Sequence, residues 1–290
     1  MKEEGFDSQD VVEVLVAPLL QDDNVYNGEK LRKLNQIKIP IDPEPPLDKL
    51  KFELMALCKF MEHGMLLSPS ERVDYLALKL VFGAKLEEKE RENVFDKEGK
   101  IHNNDVSRRY LYYKSRIGEL SEEKKQQQAQ LEFMKIVERL AFLDEKLKEM
   151  GTSLEKLKVK NSAIYESIVL KALCFNEIRL NPTGHYPIYL TYEGYIHIGL
   201  RHIKEWQFDD YYKDRDKFQL NEEDVIPTLR HIIEEINDDY QSIKTERPDF
   251  QYRKFGKNSH YFNGDYYMFH IVADGRVENF CKTVDKVRKQ

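Results

Sequence analysis

The stretch Ser259-His260-Tyr261-Phe262-Asn263-Gly264-Asp265-Tyr266-Tyr267-Met268-Phe269-His270-Ile271-Val272-Ala273-Asp274-Gly275-Arg276-Val277-Glu278-Asn279-Phe280-Cys281-Lys282 decides the class of the fold. Residues 259–262, 266–272 and 276–282 are dense in aromatic and β-branched side chains, which suit a pleated, half-buried surface. Between them, Asn263-Gly264-Asp265 and Ala273-Asp274-Gly275 supply the residue types that accept the positive φ of a tight hairpin. With residues 250–255 as a further strand, the spacing predicts an antiparallel meander.

Upstream, Val225, Leu229, Ile232, Ile233, Ile236, Tyr240 and Ile243 recur at helical spacing over about five turns, with Pro227 expected in the first turn. Residues 195–208 predict a shorter helix and residues 186–192 a strand. Asn181-Pro182-Thr183-Gly184 is a strong turn signal at the point where Leu, Lys and Glu give way to aromatics. A boundary is therefore expected there. The C-terminal module, residues 181–290, reads as two helices packed on an antiparallel sheet, and the whole chain as α+β with a long-helix N-terminal region.

That helical region spans residues 47–180. Leu47, Leu50, Leu54, Leu57 and Met61 mark one helix, stopped at Gly64, and Ser68-Pro69-Ser70-Glu71 opens a second with a capping box and a first-turn proline. Residues 85–103 are charged and predict a mobile connector. From about residue 105 to 150 there is no proline and one glycine, Gly118, and Leu131, Met134, Val137, Leu140, Ala141 and Leu147 line one side. A further helix from Ser153 to Ile178 would fold back at Gly151 as a long antiparallel partner. Residues 1–46 form an arm, in which residues 11–16 suggest a strand, and a connector with four prolines in residues 39–46.

Composition bounds the function. The chain has 290 residues, 41% hydrophobic and 34% charged, which places it among globular rather than membrane or low-complexity proteins. Its net charge of -6 argues against a wholly basic nucleic-acid-binding surface, so any RNA contact must be a local patch. The acidic start lacks the order of a secretory signal, and Cys58, Cys174 and Cys281 form no CxxC pair. A soluble cytoplasmic protein, with no membrane partner and no cofactor, is the expectation.

Six of the eight histidines, His185, His197, His202, His231, His260 and His270, fall in the C-terminal module. On a helix over residues 195–208, Ile196, Leu200 and Ile203 share the buried face, and His197, Arg201 and Lys204 run beside them as a cationic stripe. His202 lies on the opposite flank. Arginine offers a forked donor to phosphate and histidine exchanges a proton near neutral pH, so the stripe suits a phosphate. Metal binding is disfavoured, because His197 and His202 are five apart and no HExxH order occurs. The plain alternative is a surface pair between Arg201 and Glu205. Farther on, Arg247, Arg253, Lys254 and Lys257 interleave with Phe250, Tyr252 and Phe255, a mix that suits phosphate contact and base stacking. Asp209, Asp210, Asp214 and Asp216 follow the stripe and would repel RNA unless they face away.

The segment Ile196-His197-Ile198-Gly199-Leu200-Arg201-His202, followed by a long amphipathic helix and a twisted sheet ending near Thr283, resembles the barnase, EndoU, colicin-D and RelE superfamily of ribonucleases. The resemblance covers about residues 185–290. It implies metal-independent endoribonuclease activity, of a toxin or antiviral defence type, on an RNA such as tRNA or mRNA. Arg201 would hold the phosphate and His197 or His202 would act as base or acid, with His260 and Thr283 contributed by the sheet. Lys204, Arg247, Tyr252, Arg253, Lys254 and Lys257 would contact substrate. The competing expectation is a non-catalytic subunit that binds a protein partner, or itself, through helices within residues 105–178.

Overall fold

A computed structural model describes residues 47–208 and 220–283. The expected strand at residues 11–16, the proline connector and the four aspartates after the stripe lie outside the described residues. The fold is α+β, and two compact units divide between Glu138 and Arg139. Among the described residues, no helix is long and apolar enough to cross a membrane.

In the first unit, α1 (Leu47–Glu62) and α2 (Pro69–Val81) form the expected hairpin. Gly64 takes φ 74° after α1, and Ser68 and Glu71 close a reciprocal capping box at α2. The presumed connector is ordered instead: α3 (Glu88–Val94) has its own capping box from Glu87 and Glu90, and Phe95 bridges Ile101 across a turn held by Asp96. Leu50, Leu57, Leu76, Leu78, Val94 and Val106 build the core. The uninterrupted helix expected from residue 105 is two helices, α4 (Asn104–Arg116) and α5 (Glu122–Glu149), parted where Gly118 takes φ 75°. Its folded-back partner is likewise two pieces, α6 (Leu154–Lys160) and α7 (Ser162–Cys174), because the Asn161 side chain caps α7 and ends the run.

The second unit starts inside α5 rather than at residue 181. Composition changes at 181 because helix gives way to strand, but packing does not follow composition. The Arg139 guanidinium donates to the carbonyls of Ala172 and Leu173, Tyr192 Oη donates to the Arg139 carbonyl at 2.5 Å, and Phe175 stacks on Tyr195 at 4.4 Å. These contacts join the second half of α5 and the end of α7 to the α+β module.

The module contains β1 (Ile178–Arg179) and β2 (Tyr189–Leu190) as a small antiparallel pair, then α8 (Tyr192–His202), a 3-10 turn (Lys204–Trp206), α9 (Glu222–Glu246) and the main sheet. That sheet has β3 (Tyr252–Lys254), β4 (His260–Phe262), β5 (Asp265–Ile271) and β6 (Val277–Thr283). All its pairings are antiparallel; β3 and β4 pair with successive halves of β5, and β6 pairs along its length. The β4–β5 hairpin is two residues long, with Asn263 at φ 47° and Gly264 at φ 91°, a turn whose twist matches that of the strands.

Two helix boundaries differ from expectation. Thr191 caps α8 through Gly194 N, so α8 begins three residues before residue 195, and Ile203 ends it by going extended to bridge Leu220. Helix α9 starts at Glu222, which puts Pro227 in the second turn. Trp206, wholly buried, lies against Gly199 of α8 and edge-on to Tyr195. A Cβ on Gly199 would stand 2.2 Å from the indole, so only glycine admits that approach. Helix α9 sits over the sheet, where Tyr252 donates to Asp239 at 2.6 Å and His260 meets Glu235 at 2.8 Å.

Candidate active site

A cavity of about 580 Å³ opens in the second unit, lined by the end of α5, by α8 and by the β3, β5 and β6 strands and their ends. Helical spacing delivers His197 and Arg201 to it together, because residues four apart share a face. Lys146 and Glu149 come from the last turn of α5 and pair at 2.5 Å. Arg276, Glu278 and Asn279 come from the start of β6 and its preceding turn, His270 from β5, and Phe255 from the end of β3.

His197 is held below the ordinary imidazole range, mainly by burial and then by the neighbouring Arg201 and Lys146 charges, which outweigh Glu278 and Glu149. It is therefore neutral near pH 7 and able to take a proton. Arg201 and Lys146 are the positive charges beside it. Arg276 adds a third, and its Nε is buried without a hydrogen-bond partner among the described residues.

His270 is also pushed down, first by burial and then by Arg253, against the pull of Glu278. Its tautomer follows from its neighbours. Nδ1 faces the Glu278 carboxylate, which can only accept, at 2.9 Å and so carries the proton, while Nε2 accepts from Arg253 Nε at 3.0 Å with Gln251 Oε1, itself an acceptor from Arg253, also 3.0 Å away. His270 is thus a neutral, doubly engaged wall of the cavity.

The structure separates the two histidines of the sequence motif. His202 does not line the cavity; its Nε2 lies 3.2 Å from Asn279 Oδ1, and burial, then His197, lowers its pKa to about 4. It braces Asn279 from behind. Lys204 leaves the stripe because α8 stops at His202 and Lys204 enters the 3-10 turn. The alternative Arg201–Glu205 pair is not favoured, since Glu205 accepts from Glu222 N at 3.0 Å.

The remaining expected residues are dispersed. His260 pairs with Glu235, Thr283 is buried at the end of β6 opposite Tyr266, and Arg247 lies over Phe250 at the end of α9. Tyr252 is a core residue at 3% exposure, with Lys254 over its ring, so it presents no stacking face. Lys257 is exposed in the turn Gly256–Asn258. Arg253 supports His270 from outside the cavity. Conversely, Lys146, Arg276, Glu278 and Asn279 escaped the sequence reading. The one legible hint was the alternation of the charged Arg276 and Glu278 about the apolar Val277.

Comparison with protein-family models, with curated proteins and with solved structures found no match.

Proposed function

We propose that the cavity cleaves RNA without a metal ion, by attack of a 2′-hydroxyl on the adjacent phosphodiester. The observation that carries this reading is one cavity shared by a neutral, half-buried His197 and the cations Arg201, Lys146 and Arg276. His197 removes the 2′-hydroxyl proton, the freed oxygen bonds to phosphorus, and the bond to the 5′-oxygen breaks, the leaving oxygen taking a proton from water at the open mouth. Arg201 and Arg276 stabilise the negative oxygens that gain charge in the crowded intermediate. The products are a 2′,3′-cyclic phosphate and a 5′-hydroxyl. The resemblance of residues 185–290 to the barnase, EndoU, colicin-D and RelE superfamily points the same way. In this reading His202 serves by position, and His260 and Thr283 have no direct part.

The test is incubation of the purified full chain with labelled RNA in EDTA. Cleavage with cyclic-phosphate ends, absent on DNA of the same sequence, is expected, and His197→Ala should lower the rate by about 100-fold or more. An RNA left intact by the wild type, or full activity in the His197→Ala and Arg201→Ala variants, would overturn the proposal.

A further inference from the structure

The segment from Phe250 to Phe262 carries five aromatic rings, and packing removes four of them from the cavity. Tyr252 is buried with its hydroxyl on Asp239, and Phe250 stands edge-on to Tyr252 beneath Arg247. Phe262 pairs edge-on with Tyr267. Tyr261 is exposed but pairs with Tyr266 at 5.0 Å and does not line the cavity. Phe255 alone of the five does, at 39% exposure.

Its position is fixed by the backbone. Phe255 is extended at φ -139°, and its carbonyl accepts from Asn258 N at 3.0 Å, which closes the turn Gly256–Asn258 behind it. Strand alternation puts Phe255 on the same face as Arg253, whose partner His270 meets the Phe255 ring at 6.5 Å between centroids. A second ring in the cavity, Phe142 of α5, is taken up edge-on by Tyr192 with Lys146 over its face, so Phe255 is the apolar ring left open among charged and polar side chains, the cations Lys146, Arg201 and Arg276 and the carboxylates Glu149, Glu193 and Glu278.

We propose that Phe255 is a base platform: an unpaired nucleobase of the RNA stacks on its ring while the adjoining phosphate lies at Arg201 and Arg276. The inference rests on the reading of the cavity as a phosphodiester site and specifies its substrate as single-stranded. A base inside a duplex has both faces covered by its neighbours, whereas a base in a loop or at a frayed end can be splayed onto a ring. The cavity, about 580 Å³, falls in the range that encloses a nucleotide-sized ligand. Stacking is tolerant of base identity, so the platform selects strandedness rather than sequence.

The experiment measures binding of the full chain to a 2′-O-methyl RNA hexamer, which cannot be cleaved, to the same hexamer with abasic sites, and to its duplex. Fluorescence anisotropy compares the wild type with Phe255→Leu, Phe255→Tyr and Arg201→Ala. Phe255→Leu should weaken binding of the base-bearing hexamer by roughly 5- to 100-fold, Phe255→Tyr should retain it, and the abasic hexamer should bind both proteins equally weakly. The duplex should bind the wild type like the abasic strand. Wild-type affinity in Phe255→Leu, or an equal loss on the abasic strand, overturns the platform. If Arg201→Ala weakens binding while Phe255→Leu does not, the platform fails and the phosphodiester reading stands. If the wild type binds no hexamer, both fail.

Discussion

Acidification should unfold the second unit through His202 in particular. Its pKa lies near 4, depressed from 6.5 by burial first and by His197 next, so the unfolded chain takes up this proton far more readily than the folded one. A group depressed in the folded state contributes stability that is present above its unfolded pKa and disappears as pH falls through its folded pKa. The window is therefore roughly pH 6.5 down to 4. At 1.36 kcal/mol per pH unit the gap is worth about 3 kcal/mol, of which about 2–3 kcal/mol is gone by about pH 4.5. Other groups titrate in the same range, including His197 and His270, both also depressed, so the informative quantity is a difference between proteins. His202→Gln keeps an amide facing Asn279 and cannot titrate. Urea unfolding followed by fluorescence of Trp206, the one tryptophan of the chain and wholly buried in this unit, should show the variant losing about 2–3 kcal/mol less than the wild type between about pH 7.5 and pH 4.5. Parallel curves for the two proteins would refute the burial argument. So would an NMR titration of the wild type that put the His202 midpoint at the ordinary imidazole value.

Two further perturbations follow from the packing. Gly199→Ala places a methyl 2.2 Å from the Trp206 ring and should cost about 1–3 kcal/mol, seen as a lower thermal midpoint of Trp206 emission; an unchanged midpoint would mean the α8–Trp206 contact is loose. In the first unit, burial and then Asp74 raise the Glu53 carboxyl, which lies 3.5 Å from Tyr113 Oη, while Arg109 pairs with Asp74 at 2.5 Å. A raised carboxyl is destabilising when ionised, so Glu53→Gln should stabilise this unit above the raised pKa, and the gain should fade as pH drops through it. Urea unfolding followed by circular dichroism checks both signs; a loss of stability at neutral pH would show that the Tyr113 contact outweighs the buried charge.

Local chemistry made much of the fold legible. Asn263-Gly264 specified a two-residue turn because few pairs accept positive φ twice, and Ser68-Pro69-Ser70-Glu71 specified a helix start because its groups satisfy one another within four residues. Where the deciding contact is distant, the sequence carries little signal. Nothing in residues 139–174 announces that Arg139 will reach the carbonyls of Ala172 and Leu173, or that Phe175 will lie on Tyr195, so the boundary at 138 was hidden. The same holds for the cavity. Lys146 with Glu149 resembles any solvated pair at a helix end, and Arg276 follows an ordinary turn; only the third dimension places them beside His197.

The two histidines of α8 show what such placement does to function. They are five residues apart on one helix and identical in chemistry, so the sequence could offer either as the base. The helix turns their side chains to different surroundings: His197 opens on the cavity beside Arg201 and Lys146, while His202, half-buried, faces Asn279. Both are neutral at pH 7, but a base must also reach substrate, and His202 is screened from the cavity by the asparagine it holds. Removing Asn279 should therefore act on both at once. Asn279→Ala deletes a cavity wall and strips Nε2 of its partner; the Asn279 contact favours the charged imidazole, so its loss moves the His202 pKa further below 4, not toward the ordinary value. An NMR titration of this variant in which His202 rises toward 6.5 would instead mean that solvent enters where the asparagine stood, and that His202 is buried only because Asn279 covers it.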